Sequence, residues 1–395
     1  MTPQGNCSTV LRRYSGPEAD ELAILCRPDE RSHDVARQAE AAYRAFASSL
    51  ETHGASWRDV TTETLFLRDV RRDLPPLLDA RERVLGGPGR RDAAPRPGFI
   101  QQAPLGHGAT FELAATVVVP HDRRAWAAQD VPFAATCGCA GCARSGARVV
   151  RLGGRTSVHT CNVYGRGDDA FEQTWNAFCA AERLLADCGM GFQDVVRTWI
   201  HLRDIDRDYG ALNRARRAFF QERGVERRPA STGVQGIPFP DGHDVAITLC
   251  AVRCAGPLDV APISTPTLNE AWSYGADFSR GLRLVDANKV MLHVSGTASI
   301  DEGGRSVHVG DLGGQVDRML RNIATLLAGQ GAGFEQLVSA VTYVRRPDDA
   351  ASIRAMFRER GFDGFPCALV EAPLCRPDLL CETEAVAMLP VRSEA

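Results

Sequence analysis

Lysine is almost missing from this chain. Of 46 basic residues in 395, only Lys289 is a lysine. Schiff-base and pyridoxal chemistry would have to run through that one side chain, so those classes are set aside. The arginines that remain suit the binding of carboxylates, because the guanidinium fork matches them. No long basic run occurs and the formal net charge is −3, which gives no nucleic-acid signal. No apolar run is long enough to cross a membrane, and the first residues, MTPQGNCSTVLRRYSG, contain no signal-peptide core. The expected location is the cytoplasm, with no membrane partner. A zinc signature is also incomplete. Cys137, Cys139 and Cys142 form C-x-C-x-x-C, to which His159 or Cys161 could add a fourth ligand, but the second C-x-x-C pair is missing. No metal site and no cofactor are expected. Thirteen cysteines is an odd number, and Cys179, Cys250 and Cys381 sit inside apolar runs. Reduced, mostly buried thiols are expected rather than a disulfide framework.

What is present is one unit written three times. GASWRDV, GMGFQDV and GAGFEQL begin at residues 54, 189 and 331. Each follows a helix-like segment and opens a strand-like one: TTETLFLRD, VRTWIHLRD and VSAVTYVRR. The interval is too long for a solenoid and suits three small domains. Their expected bounds are 1–145, 146–258 and 259–395. The third unit reads hairpin, helix, strand, helix, strand, strand. KVMLHVSGTASI (289–300) and SVHVG (306–310) make the hairpin, Asp311 caps the first helix, and CALVEAP and LLCETEAVAML close the unit. The second unit reads alike. The first reads as degenerate: ELAILCRP (21–28) stands for its hairpin, and 71–98 is an extra loop. Residues 122–147 and APISTPT (261–267) read as connectors. Helices alternating with antiparallel strand pairs give the α+β class, one sheet with helices on one face. Three such sheets closing around an axis make a trimer fused into one chain, with clefts between units and a monomer as the expected state.

Glu382 and Glu384 alternate on the last strand, so both side chains face one side. In an otherwise apolar strand a carboxyl group holds its proton above the ordinary range, the more so beside a like charge. That is how an acid is kept protonated at neutral pH; the alternative is a wetted sheet face. Cys375, Arg376 and Asp378 form the preceding turn, a natural place for functional groups or merely a surface thiol and ion pair. Tyr209, Arg216 and Arg217 lie on the second helix of unit two, and Arg354 matches Arg217 in unit three. Most such helical arginines are solvated. RRPASTGVQG (227–236) offers Arg228, Ser231 and backbone donors to a carboxylate. GTAS (296–299), opening on Gly296, leaves room close to the backbone or marks a bulge.

The unit order, the repeated junction and the ending PCALVEAPLCRPDLLCETEAVAM resemble the RidA/YjgF superfamily, whose chorismate-mutase-like units are usually homotrimers with a ligand site at each interface. Three fused units, with RRPASTGVQG and CRPDLLCETE, are more closely similar to the chorismatases, which cleave chorismate to pyruvate and a ring carboxylic acid in bacterial secondary metabolism. The resemblance implies that a glutamate of the last strand protonates the enolpyruvyl group. Glu382 fits that place best and Glu384 is the alternative. It implies that a cysteine seven residues earlier, Cys375, and a glycine in the SGTAS strand, Gly296, mark the branch that forms 3-hydroxybenzoate. The hydrolase branch leaves a dihydroxycyclohexadiene carboxylate instead. Chorismate is a dianion, and Arg217, Arg228, Arg354 and Arg376, with Tyr209 and Ser231, are the candidates for holding it. A RidA-type imine deaminase is disfavoured, because no arginine follows Pro229 or Pro366. A non-catalytic protein that binds a small ligand is the alternative of a different class. The 71–98 insertion and the cysteine loop 137–142 depart from the family pattern.

Overall fold

The computed structural model describes residues 7–28, 34–86, 94–106, 108–133, 144–239 and 241–391; the Cys137, Cys139 and Cys142 loop lies outside them. The first unit runs β1 (Cys7–Ser15), β2 (Ala19–Pro28), α1 (Val35–Thr52), β3 (Val60–Leu67), α2 (Val70–Leu85), β4 (Gly98–Gln101), β5 (Phe111–Pro120), in sheet order β1-β2-β5-β3-β4. The second runs β6 (Trp126–Pro132), β7 (Gly146–Leu152), β8 (Arg155–Cys161), β9 (Val163–Tyr164), α3 (Ala170–Asp187), β10 (Val195–Leu202), α4 (Ile205–Glu222), β11 (Ala230–Gln235), β12 (Val245–Cys254). Its order is β11-β10-β12-β8-β7-β6, with β9 also on β12. The third runs β13 (Asp259–Pro262), β14 (Gly281–Val285), β15 (Val290–Ala298), α5 (Leu312–Ala328), β16 (Leu337–Val344), α6 (Ala350–Glu359), β17 (Cys367–Glu371), β18 (Cys381–Leu389), in order β13-β14-β15-β18-β16-β17. Each unit has one parallel pair, β3–β4, β10–β11 or β16–β17. Its two strands are joined over a helix, as parallel neighbours require.

The thrice-written junction has a physical cause. Its first glycine ends a helix in the left-handed region, at φ 66° for Gly54, 75° for Gly189 and 71° for Gly331. The next amide then reaches back to close the helix: Ala55 N to Leu50 O, Met190 N to Leu185 O, Ala332 N to Leu327 O, at 2.8, 2.8 and 3.0 Å. The sixth residue caps the short turn that follows. Asp59, Asp194 and Gln336 accept from the amides of Ser56, Gly191 and Gly333 at 2.7, 2.9 and 2.7 Å. An aspartate side chain likewise caps five helices, α1 to α5, through Asp34, Asp69, Asp169, Asp204 and Asp311.

Four expectations are corrected. The first unit is complete in its elements, with a full β1–β2 hairpin. The supposed loop 71–98 is in its first half helix α2, which contains Pro75 and Pro76. Burial of Val70, Leu74, Leu77, Leu78 and Leu85 outweighs the backbone bonds two prolines forgo. The connectors hold edge strands: β6 pairs with β7 and β13 with β14. The hairpin partner of β15 is β14, upstream, and SVHVG is not a strand; it folds back on the residues after β15 through an isolated Ile300–Ser306 bridge and Ser299–Val307 hydrogen bonds.

Each unit closes the edge of another. Asn162 brackets the backbone of Phe99 on β4, accepting from its N–H at 2.9 Å and donating to its carbonyl at 2.7 Å. Ser295 Oγ accepts from the amide of Ser231 on β11 at 2.9 Å, and Arg27 donates to the carbonyl of Cys367 on β17. Backbone bonds Gln101–Ile237, Ala103–Glu371 and Gln235–Pro373 complete the ring. The three sheets thus surround a shared axial cavity of about 310 Å³, lined from all three units.

Gly189 has open space around its α-carbon, so Gly189→Ala tests the backbone alone. It is expected to lower stability by about 1 kcal/mol, read from the denaturant midpoint, with no change in slope.

Candidate active site

β18 lies between β15 and β16, and on it Glu382 sits opposite Ala298 and Tyr343. The β15–β18 register slips between Val294 and Thr297, at Gly296. A Cβ on residue 296 would overlap Oε1 of Glu382. The room that a side chain would have filled is therefore taken by the carboxyl group. Glu382 is 6% exposed. Burial first, and the nearby charge of Glu384 second, push its pKa up to about 7 against the pull of Arg280, Arg197 and Arg376.

Glu384 is held quite differently. Arg197 Nη2 on β10 donates to its Oε2 at 2.7 Å and Trp199 Nε1 to its Oε1 at 2.6 Å. Both oxygens act as acceptors, as a carboxylate's do. Arg197 Nη2 also donates to Thr232 Oγ1 at 2.5 Å, and Thr232 Oγ1 accepts from the amide of Gly296 at 3.0 Å. One strand residue of the second unit thereby ties the glutamate pair to the glycine beside it. Two adjacent carboxyl groups are given opposite environments: one apolar and close to neutral, one bonded and charged.

The cleft between the second and third units gathers most of the other candidates. Cys375 packs against the core of the second unit. Burial and the charge of Glu382 push its thiol up to about 12, so it stays protonated, and Tyr209 is its hydrogen-bonding neighbour. Ser231 Oγ accepts from Thr198 Oγ1 at 2.8 Å and faces Arg216 Nη1 at 3.4 Å. Arg376 donates to the carbonyl of Gly304 at 2.7 Å while its charge reaches Glu382. Arg217 and Arg228 are spent on Asp277, at 3.0 and 3.5 Å, and so anchor the segment leading to β14. Arg354 is not in this cleft. It donates to the carbonyl of Leu105 at 3.3 Å, beside Arg27 and Glu112, at the boundary of units three and one. The matching helical positions thus correspond to different clefts.

Sequence reasoning missed Arg197, Trp199, Thr232, Arg280 and Phe278. Two buried guanidinium groups lie close to the Phe278 ring, Arg216 at 5.5 Å and Arg280 at 5.6 Å from its centroid. A signal did exist for part of this set. In VVRTWIHL (195–202) the residues Arg197, Trp199 and His201 alternate through an apolar strand, the same pattern that singles out Glu382 and Glu384. Arg280 and Phe278 come from a segment with no periodicity, and only tertiary contact reveals them.

The other two clefts lack this arrangement. The residue opposite Tyr343 is Glu382; the corresponding pairs are Phe66 with Glu112 and His201 with Ala246. Glu112 is also fully buried, and burial raises its pKa, but it faces Arg27 at 3.3 Å and has no carboxylate beside it like Glu384. The second unit has alanine there. The axial cavity is lined by Glu384 and not by Glu382. Glu382 and the arginines whose charges reach it, Arg280 and Arg376, belong to the cleft instead. Among the described residues no group of three His, Cys, Asp or Glu side chains is arranged to hold a metal ion.

Comparison with known proteins shows the family to which the chain belongs. Residues 145–253 and 274–389 match the family model described as Endoribonuclease L-PSP, over half of the chain. A 3-hydroxybenzoate synthase of Streptomyces hygroscopicus is 30% identical over 243 residues, 55% of this chain and 69% of that protein. The chain is an enzyme of the chorismatase family. A chorismatase of Streptomyces rapamycinicus is 27% identical over 224 residues, 50% of this chain and 65% of that protein. A chorismatase crystal structure shares the fold, with a TM-score of 0.59 at 19% identity, covering 84% of this chain and 93% of that one. The L-PSP match covers units two and three of the chorismatase; unit one has diverged in sequence while keeping the order of elements.

The raised pKa of Glu382 has a consequence for stability. Its ordinary value is 4.5 and its folded value about 7, so the folded state binds the extra proton between them. Stability from this group is full below pH 4.5 and falls as pH rises through 7. Glu382→Gln removes that loss. Relative to the wild type, the variant is expected to gain on the order of 2 kcal/mol between pH 5 and pH 8 in chemical unfolding. An unchanged difference between the two pH values would contradict the burial of an ionisable acid here.

Proposed function

We propose that this enzyme cleaves chorismate to pyruvate and 3-hydroxybenzoate in the cleft between its second and third units. The observation that carries the proposal is Glu382, a buried acid with a pKa near 7 whose carboxyl group is lodged against Gly296. An enol ether becomes a leaving group when its methylene carbon is protonated, and that needs a positioned acid that is still protonated at the working pH. Glu382 meets this need; Glu384, bonded to Arg197 and Trp199, supplies the neighbouring charge that raises it. Arg216, Arg280 and Arg376 offer positive charge to the two carboxylates of the substrate, and Phe278 offers a face to its ring. Ser231 and Tyr209 line the same cleft.

Protonation gives an oxocarbenium ion. The neighbouring ring hydroxyl then displaces the pyruvate oxygen, the bond from the ring to that oxygen breaks, and pyruvate departs. The resulting arene oxide opens, loses its ring proton and becomes the phenol. No water is consumed, whereas the hydrolase product requires one. Cys375, protonated and close to Glu382, stands where it excludes water and steers the reaction to the phenol. The name of the Streptomyces hygroscopicus relative, 3-hydroxybenzoate synthase, and the Cys375–Gly296 pair support this branch.

Incubation of pure protein with chorismate is expected to release pyruvate and 3-hydroxybenzoate in equal amounts. Glu382→Gln should lower kcat by about 10²–10⁴-fold, the range for loss of a general acid. The wild-type rate should fall as pH rises through about 7, when the acid ionises. Cys375→Ala should divert product toward the dihydroxycyclohexadiene carboxylate. Neither product from the wild type, or full activity in the glutamine variant, would end the proposal.

A further inference from the structure

The axial cavity has no role in the reaction above, yet one corner of it is built to receive something. Its volume of about 310 Å³ falls within the range of small-ligand sites. Much of the wall is apolar, with Phe66, Val150, Leu249, Met291 and Val386 drawn from all three units. Polar side chains from each unit also reach it, among them Glu63, Arg148 and Lys289, but the corner where β10 meets the third sheet is different. There Arg197 Nη1 and both ring nitrogens of His293 are buried and have no partner in the protein. His293 is 6% exposed and Arg197 2%, so bulk solvent hardly reaches either one. Buried donors without acceptors are rare and costly, and each one calls for an explanation. His293 stands opposite Val386, two residues along β18 from Glu384. Arg197 is near enough for its charge to be felt at His293, whose imidazole burial keeps neutral. The corner therefore presents a guanidinium N–H and an imidazole N–H beside an apolar chamber.

We propose that the axial cavity is a second ligand site, for a small aromatic carboxylate whose carboxylate meets Arg197 Nη1 and His293 and whose ring lies among Leu249, Met291 and Val386. Two donors of this kind match the two oxygens of a carboxylate, and the apolar wall matches a ring. The occupant would share Arg197 with Glu384. It would thus loosen or reinforce the pair that loads Glu382, and act as an effector of the cleft from outside it. The site does not depend on the identity of the substrate turned over in the cleft.

The probe is 4-bromobenzoate. In solution, calorimetric titration is expected to show saturable binding, and anomalous diffraction from bromine in crystals should place it on the axis between His293 and Val386. His293→Leu should weaken this binding at least about tenfold, as loss of a hydrogen bond to a charged group does, without lowering thermal stability or turnover in the cleft. Met291→Trp, which fills the chamber and keeps both donors, should remove the axial bromine even if the leucine variant does not fold. Bromine only in the Glu382 cleft, no saturable binding in solution, or equal binding by both variants would overturn the proposal. Axial bromine in a protein that releases no pyruvate from chorismate would sink the proposed reaction and leave this site standing.

Discussion

Arg197 and Glu384 meet at 2.7 Å across the boundary of two units, almost out of reach of water. A buried ion pair is expensive to form and worth keeping only when its remaining polar atoms are also met. Here Trp199 takes the second oxygen of Glu384 and Thr232 shares the guanidinium Nη2, so the carboxylate is fully met while Arg197 Nη1 keeps no partner in the protein. The pair joins β10 to β18 and so fixes how the second and third sheets face each other. It also fixes a charge beside Glu382, and the two effects are inseparable: the contact that closes the cleft is the one that tunes its acid. Breaking it from one side would leave a charge buried without its counterion, the most damaging kind of polar loss.

Fusion of three units made this asymmetry possible. In a homotrimer every cleft is the same by symmetry. In this chain the equivalent positions have drifted apart, to Glu112 with Arg27 against it, to Ala246, and to Glu382 with room made by Gly296. One cleft has a buried glutamate facing an arginine, one has alanine at that position, and one has a buried acid with a carboxylate beside it. The edges that the units would otherwise expose are closed by Asn162, Ser295 and Arg27, a different side chain in each case. An unprotected edge strand would invite association with other chains.

Much of this was legible in the chain. The junction at 54, 189 and 331 works through local backbone chemistry, a left-handed glycine and a side-chain cap, and local chemistry leaves a local signature. The helical stripe of Val316, Met319, Ile323 and Leu326 and the alternation of Glu382 with Glu384 are visible for the same reason. Helix α2 was not, because two prolines argue for a loop and only the burial of Leu74, Leu77 and Leu78 argues back. The partner of β15 was misassigned because two short apolar runs flank it, and pairing is settled by what the rest of the sheet leaves open. Arg354 was placed with Arg217 by counting, yet helices at matching positions face different neighbours.

By itself the order of residues determined the repeat, the α+β units and the acid-bearing strand, since each depends on neighbours along the chain; Cys375 and Gly296 entered through resemblance to the family. The tertiary structure decided which arginines surround the acid, which glutamate is paired with an arginine, and which of three clefts holds the two glutamates together. Those outcomes depend on how closely strands from separate units approach and how much water they displace. Desolvation and charge pairing act through space, and a one-dimensional pattern does not record distance.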